Sequence, residues 1–268
     1  MSASRTDAGA VGAGLIVLAA ACFGTLGPLS RFAGDAGVEA LSLVAWRDAI
    51  GAACVVAFLA VLGRPILSLR GVPSRERWML GFGALANALL NLAIFVAFGR
   101  ITIALALLLF YLYPAFVALA SMLWFGDRPD ALRWTALATS FLGVVLVVAG
   151  GAALGHLDPL GMALAFGSAL IQAFYVLAAR HGFASVPGPQ AGALSMAGGA
   201  IVVVAIALPF GQAAALLQPL ASLDAALPVL LAGTLGAGLP TVAFIGGIRL
   251  VGAPRGAILA TLEPVVGV

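Results

Sequence analysis

Residues 101–127 read ITIALALLLFYLYPAFVALASMLWFGD, a membrane-length apolar run with Pro114 at its middle and Tyr113 just before that proline. A proline inside a helix lacks a backbone donor and frees the carbonyl four residues back, here that of Phe110. In hydrocarbon such a carbonyl has no water to bond, so the break belongs beside buried protein or a wet cavity. A weaker echo stands at residues 251–268, VGAPRGAILATLEPVVGV. A shift of 150 positions carries Ile101 onto Val251, Tyr113 onto Glu263 and Pro114 onto Pro264, and the carbonyl freed there is that of Ala260. Interrupted hydrophobic segments at corresponding places of two halves are a pointer to a binding site where the halves meet.

Composition sets the class. The 268 residues are 63% hydrophobic and 9% charged, with a mean hydropathy of +1.17. A water-soluble fold of this length could not cover so much apolar surface with so few charges. The chain is therefore an all-α polytopic membrane protein. The net charge of +3 comes from thirteen arginines and no lysine against ten acids. That excess sits in short loops between apolar runs, which makes it a topology signal and not a nucleic-acid footprint. Cys22 and Cys54 fall inside apolar segments, which argues against a disulfide framework or a zinc site. His156 and His181 are placed in loops without metal-ligand spacing, and no cofactor or metal is expected. No GxxxxGK[ST] loop is present, so ATP is not expected as a direct energy source.

Nine spans are predicted, at Val11–Arg31, Ala40–Leu62, Trp78–Phe98, Ile101–Phe125, Leu132–Gly150, Pro159–Ala179, Gly192–Phe210, Ala226–Ile248 and from Pro254 to the end. Each complete one is near the roughly 20 residues needed to cross hydrocarbon. With the N-terminus inside, ten arginines fall on inner loops and flanks: Arg5, Arg64, Arg70, Arg75, Arg77, Arg128, Arg133, Arg180, Arg249 and Arg255. Arg31 and Arg100 fall outside, and Arg47 is intramembrane. This asymmetry places the N-terminus in the cytoplasm, and Trp78, Trp124 and Trp134 share the same inner interface. Five spans precede the loop at Gly150–Asp158, so a second half starting there enters the membrane inverted. NLAIFVAFGR (91–100) against PTVAFIGGIR (240–249) matches Phe95 to Phe244 and Arg100 to Arg249 at nearly the same offset as the proline segments.

The chain resembles the drug/metabolite transporter superfamily, specifically the EamA-type transporters with ten helices in two five-helix repeats. The resemblance is carried by ACFGTLGPLSR (21–31), AWRDAIGAACVVAFL (45–59), the Pro114 helix with GDRPDALRWTALATSFLGVVLVVAG (126–150), FGSALIQAFYVLAAR (166–180) and ILATLEPVVGV (258–268). It covers essentially the whole chain. Phe23 stands where the family has tryptophan, and Asp127 where it generally has glutamate. The resemblance implies residues 1–150 as a first repeat and 151–268 as a second, C-terminally incomplete one ending within helix nine. About 32 residues of repeat are missing by that comparison, which reads as a fragment. It further implies a transporter exporting a small metabolite such as an amino acid across a bacterial inner membrane, with the lipid bilayer and a small-molecule substrate as partners.

An ionisable group at membrane depth needs a partner or a wet cavity, costing roughly 2.5–3.5 kcal/mol on insertion scales otherwise. Arg47 and Asp48 lie in span two, about 100° apart on the helix and so expected on different faces. Arg47 reads as a helix lock or as a substrate contact, and Asp48 as its local partner. Glu263, just before Pro264, reads as cavity lining that titrates during transport or as a neutral acid bonded to backbone. Asn87 and Asn91 share one face near mid-membrane, with Gln172 and Tyr175 similar in span six. Of Tyr111 and Tyr113, some 200° apart, Tyr113 is chosen for the cavity because it matches Glu263. Trp46 reads as an aromatic wall or as lipid-facing packing. The candidate substrate-binding set is thus Trp46, Arg47, Asn87, Asn91, Tyr113, Gln172, Tyr175 and Glu263, with helix breaks at Pro114, Pro240 and Pro264 and no catalytic residue. An intramembrane protease would need a nucleophile–base pair or paired aspartates at depth, and only Asp48 qualifies. A non-transporting assembly subunit is the other alternative, against which the proline breaks argue.

Overall fold

The computed structural model describes residues 3–64, 69–125, 135, 142 and 157–251. Most of the predicted span Leu132–Gly150, the whole of the ninth span, and the sites at Glu263 and Pro264 lie outside the described residues. Within them every regular element is helical. They are α1 (Ala3–Gly24), α2 (Leu26–Asp35), α3 (Ala40–Val61), α4 (Ser74–Phe98), α5 (Ile103–Phe110) and α6 (Tyr113–Phe125). After these come α7 (Pro159–His181), α8 (Gly188–Ala207), α9 (Ala213–Leu216), a 3₁₀ turn at Gln218–Leu220, and α10 (Leu223–Gly233). A π-helical segment at Thr234–Gly238 leads into α11 (Leu239–Val251). His181, placed by sequence in a loop, is the last residue of α7.

Seven stretches among the described residues are long and apolar enough to cross a membrane: Gly9–Asp35, Ala40–Val61, Ser74–Phe98, Ile103–Trp124, Pro159–Ala179, Gly188–Ala207 and Leu223–Phe244. They correspond to seven of the nine predicted spans. The chain is an integral membrane protein.

Three of the seven are interrupted, and proline explains where. α2 begins Leu26-Gly27-Pro28, α6 begins Tyr113-Pro114, and α11 begins Leu239-Pro240. The first turn of a helix has no use for its N–H groups, so a proline there is tolerated where mid-helix it is not. Each proline has therefore become the start of a new helical segment. The break at Thr25 was not anticipated from sequence, although Pro28 carried the signal. There the Thr25 hydroxyl donates to the Cys22 carbonyl at 2.7 Å, holding the turn together.

Caps set the remaining starts. The amide of Leu105 donates to Thr102 Oγ1 ahead of α5, and that of Ala225 to Ser222 Oγ ahead of α10. Asp158 accepts from the amide of Leu160 at 3.2 Å, and Pro159 follows it as the first residue of α7.

The helices divide into two compact units, residues 1–72 with 186–268 and residues 73–185. Each unit combines helices from before and after residue 150. In the first, α1 packs on α11, α2 on α10, and α3 on both α8 and the π segment. Lipid is as apolar as a leucine side chain, so such helices associate through close packing of small residues and not through a drive to escape water. The α3 contact shows this. Its core is Ala52, Val55 and Leu59 against Ala193 and Met196 of α8 and Ala237 of the π segment. A Cβ on Gly233 would stand 2.5 Å from Ile50 Cβ, and one on Gly238 only 2.4 Å from Cys54 Cβ. Only glycine lets these backbones approach so closely.

In the second unit, α7 is the centre, packed against α4, α5 and α6. α4 and α7 run antiparallel and are clamped at both ends. Arg100 Nη1 donates to Asp158 Oδ2 at 2.8 Å at one end. At the other, the Ser185 hydroxyl and amide donate to Glu76 Oε2 at 2.6 and 3.1 Å. Trp78 and Trp124, more than 70% exposed, both lie at the Glu76 end, where a membrane-interface belt would place them.

Candidate functional site

In the first unit, three consecutive residues of α3 carry the polar chemistry. Trp46 donates its indole N–H to the Leu216 carbonyl at 2.7 Å, so its polar edge is spent on the connection between α8 and α10. Arg47 Nη1 donates to Asp48 Oδ1 at 2.8 Å. Arg47 is 8% exposed and Asp48 is fully buried. The two residues leave the helix in different directions, as expected from sequence, and the long arginine side chain bends over to its neighbour, the local partner that sequence had assigned it. Physically the pairing is required, because a buried charge without a partner is costly in a low-dielectric interior.

The same unit holds Pro240, fully buried at the start of α11. Pro240 has no N–H to give the carbonyl four residues back, and the chain widens into the π segment just before it. Threonines patch the region locally. Thr241 Oγ1 donates to the Ala237 carbonyl at 2.6 Å and Thr234 Oγ1 to that of Leu230 at 2.8 Å. The π segment was not foreseen from sequence; TLGAGLP, with two glycines before a proline, was its available signal.

The second unit gathers Asn87, Asn91, Tyr113, Pro114, Gln172 and Tyr175. The two end clamps fix the register of α4 on α7, and Gly83 faces Tyr175. A Cβ on Gly83 would lie 3.6 Å from the Tyr175 ring, and that ring is 6.5 Å from Phe183 between centroids. Asn91 is buried and donates to the Asn87 carbonyl at 2.8 Å and to Asn87 Oδ1 at 3.2 Å. The asparagine pair is thus one local network along a helix face.

Gln172 follows Gly161, Ala165 and Ser168 at helical spacing. Those three are buried while Gln172 is only partly so.

At the Pro114 break, Phe110, Tyr111 and Tyr113 form a three-ring cluster with centroid separations of 5.7, 5.5 and 6.2 Å. Both tyrosines belong to it, in place of one facing away. The reason is the break: α5 ends at Phe110, Tyr111 and Leu112 form a turn, and helical angles no longer separate the side chains. Pro114 is exposed beside this cluster.

Electrostatics outside the spans centre on Asp158. The hydrogen bond from Arg100 holds its carboxyl below the ordinary range. Amides of Leu160 and Gly161 push the same way against some desolvation. Among the described residues no group of three or more His, Cys, Asp or Glu could hold a metal ion.

Apolar helices of crossing length, three of them broken at proline, with polar side chains within them, define a polytopic α-helical membrane protein. The sequence model of the EamA-like transporter family matches residues 10–149 and again 159–268, and the chain belongs to that family. Its members are membrane transporters of the drug/metabolite type and not enzymes. A crystal structure of a protein 24% identical to this chain superposes over 98% of it and 88% of the other chain, with a TM-score of 0.61, and shares the fold. Among curated proteins no match is found.

Proposed function

We propose that the protein is a secondary transporter that exports a small metabolite, such as an amino acid, by alternating access through a cavity between two inverted five-helix repeats. The repeats are residues 1–150 and 151–268 of a ten-helix fold. The observation that carries this reading is the break at Pro114. A helix that served packing alone gains nothing from ending at Phe110 and restarting at Tyr113, whereas interrupted helices line sites in transporters. The polar groups of the second unit, Asn87, Gln172, Tyr175 and Tyr113, are substrate contacts in this reading, with Asn91 holding Asn87. Trp46, with its N–H engaged, offers substrate its ring alone, and Glu263 contributes from the ninth span beside Pro264. Arg47 acts chiefly as a lock, neutralised by Asp48, because burial keeps its head group from a passing solute. The protein resides in the inner membrane with its N-terminus in the cytoplasm.

The test is uptake by proteoliposomes holding the full-length chain, offered a panel of labelled amino acids and related metabolites. At least one should accumulate above protein-free vesicles. Pro114→Ala should slow that uptake about tenfold, equivalent to ~1.4 kcal/mol of barrier, with helix content unchanged. Uptake of nothing by well-folded protein would return the assembly-subunit reading.

A further inference from the structure

The connection between α8 and α10, residues 208–222, reads LPFGQAAALLQPLAS and contains no charged residue. One side of it is fastened to the start of α3. The Glu39 amide donates to Gln218 Oε1 at 2.8 Å, and Gln218 Nε2 donates back to Glu39 Oε1 at 3.0 Å. Trp46 holds the Leu216 carbonyl, and Ala215 and Pro219 are buried. The large apolar side chains are left bare: Phe210, Leu217 and Leu220 are each between 60% and 78% exposed, as is Leu223 at the first position of α10.

A loop bathed in water would not carry three such side chains without a charge among its residues. Their surroundings indicate what covers them. Ile201 and Leu208, seven residues apart on α8 and just past its end, are exposed. So are Leu223, Leu227 and Leu230, spaced four and three along α10. Both are single helix faces, and on membrane-crossing helices exposed apolar stripes are the lipid-facing sides. The bare residues of the connection continue these two stripes past the helix ends.

We propose that residues 208–222 form a strap seated in the boundary between headgroups and acyl chains, with the lipid surface as its partner. Seated in this way, the strap behaves as an interfacial amphipathic segment: its apolar side chains enter lipid, and its polar side grips Glu39 and Trp46. Through Trp46 it steadies the α3 turn that carries Arg47 and Asp48. The proposal stands apart from the transport reading.

Leu217→Cys, Leu220→Cys and Phe210→Cys, each labelled with an environment-sensitive fluorophore in phosphatidylcholine vesicles, test it. Gly37→Cys, in the exposed turn before α3, is the aqueous reference, and unsubstituted protein is the blank for Cys22 and Cys54. Lipids bearing a nitroxide near the headgroup end of the acyl chain should quench the three strap labels several-fold more than the reference, and iodide should do the reverse. Iodide quenching of the strap labels to the level of the reference overturns the proposal. Protection from both quenchers overturns it too, because protein, such as a second copy of this chain, would then cover the strap.

Discussion

At the level of single residues, two ion pairs among the described residues play different parts. Asp48 neutralises Arg47 inside the first unit, and removing one member of a buried pair leaves the other's charge without its compensation. Asp48→Ala should lower stability by about 3 kcal/mol, read as denaturant unfolding in detergent, while the double change Arg47→Leu with Asp48→Leu should cost clearly less. Asp158 works differently, at the surface. Its carboxyl is held below the ordinary value by Arg100, so the folded state binds this proton less readily than the unfolded state. The stability it confers is fully present above the unfolded carboxylate value of about 3.9 and is lost as pH falls through the lower folded value. Wild type should therefore outlast Asp158→Asn on heating at neutral pH. The gap should close only in acid below about pH 4. Reading residue types along the sequence found these charges and Asp48 as the local partner of Arg47, but not the geometry of the contact, because angular spacing describes the backbone and not a long side chain's reach.

Elements follow a shared rule. Pro28, Pro114 and Pro240 all sit in the first turn of the second part of an interrupted span. A missing N–H is harmless there, and the folded chain places its breaks accordingly. The Pro114 break was legible because a lone proline stood in an unbroken apolar run. The π segment was less so, although it precedes Pro240 and packs on α3. Gly233, Gly236 and Gly238 lie against Ile50, Leu26 and Cys54 with no room for a methyl group. Gly238→Ala should destabilise by about 1–3 kcal/mol through overpacking. Gly14→Ala, at a position with open space around it, should be neutral or slightly favourable. Thermal unfolding of the two variants side by side distinguishes a packed seam from a general intolerance of α-helical substitution. An equal loss in both would remove the argument from close approach.

On the scale of the whole molecule, orientation is the property that arginine counting addresses. With the N-terminus inside, Gly37→Cys should react with an impermeant maleimide added outside intact cells, and Arg70→Cys only after permeabilisation. The reverse pattern would invert every assignment of side. The end clamps agree with alternating helix directions: Arg100 meets Asp158 at one end of α4 and α7, and Glu76 meets Ser185 at the other. Sequence by itself determined the membrane class, seven of the predicted spans, the family and the Pro114 break, because these depend on local hydrophobicity and on a missing donor. Tertiary structure alone decided the company the side chains keep: the Trp46 bond to Leu216, the aromatic cluster at Phe110, Tyr111 and Tyr113, and two compact units that each draw helices from both parts of the chain. Those choices are made by contacts between residues distant in sequence, and no local pattern encodes which small-residue face will meet which.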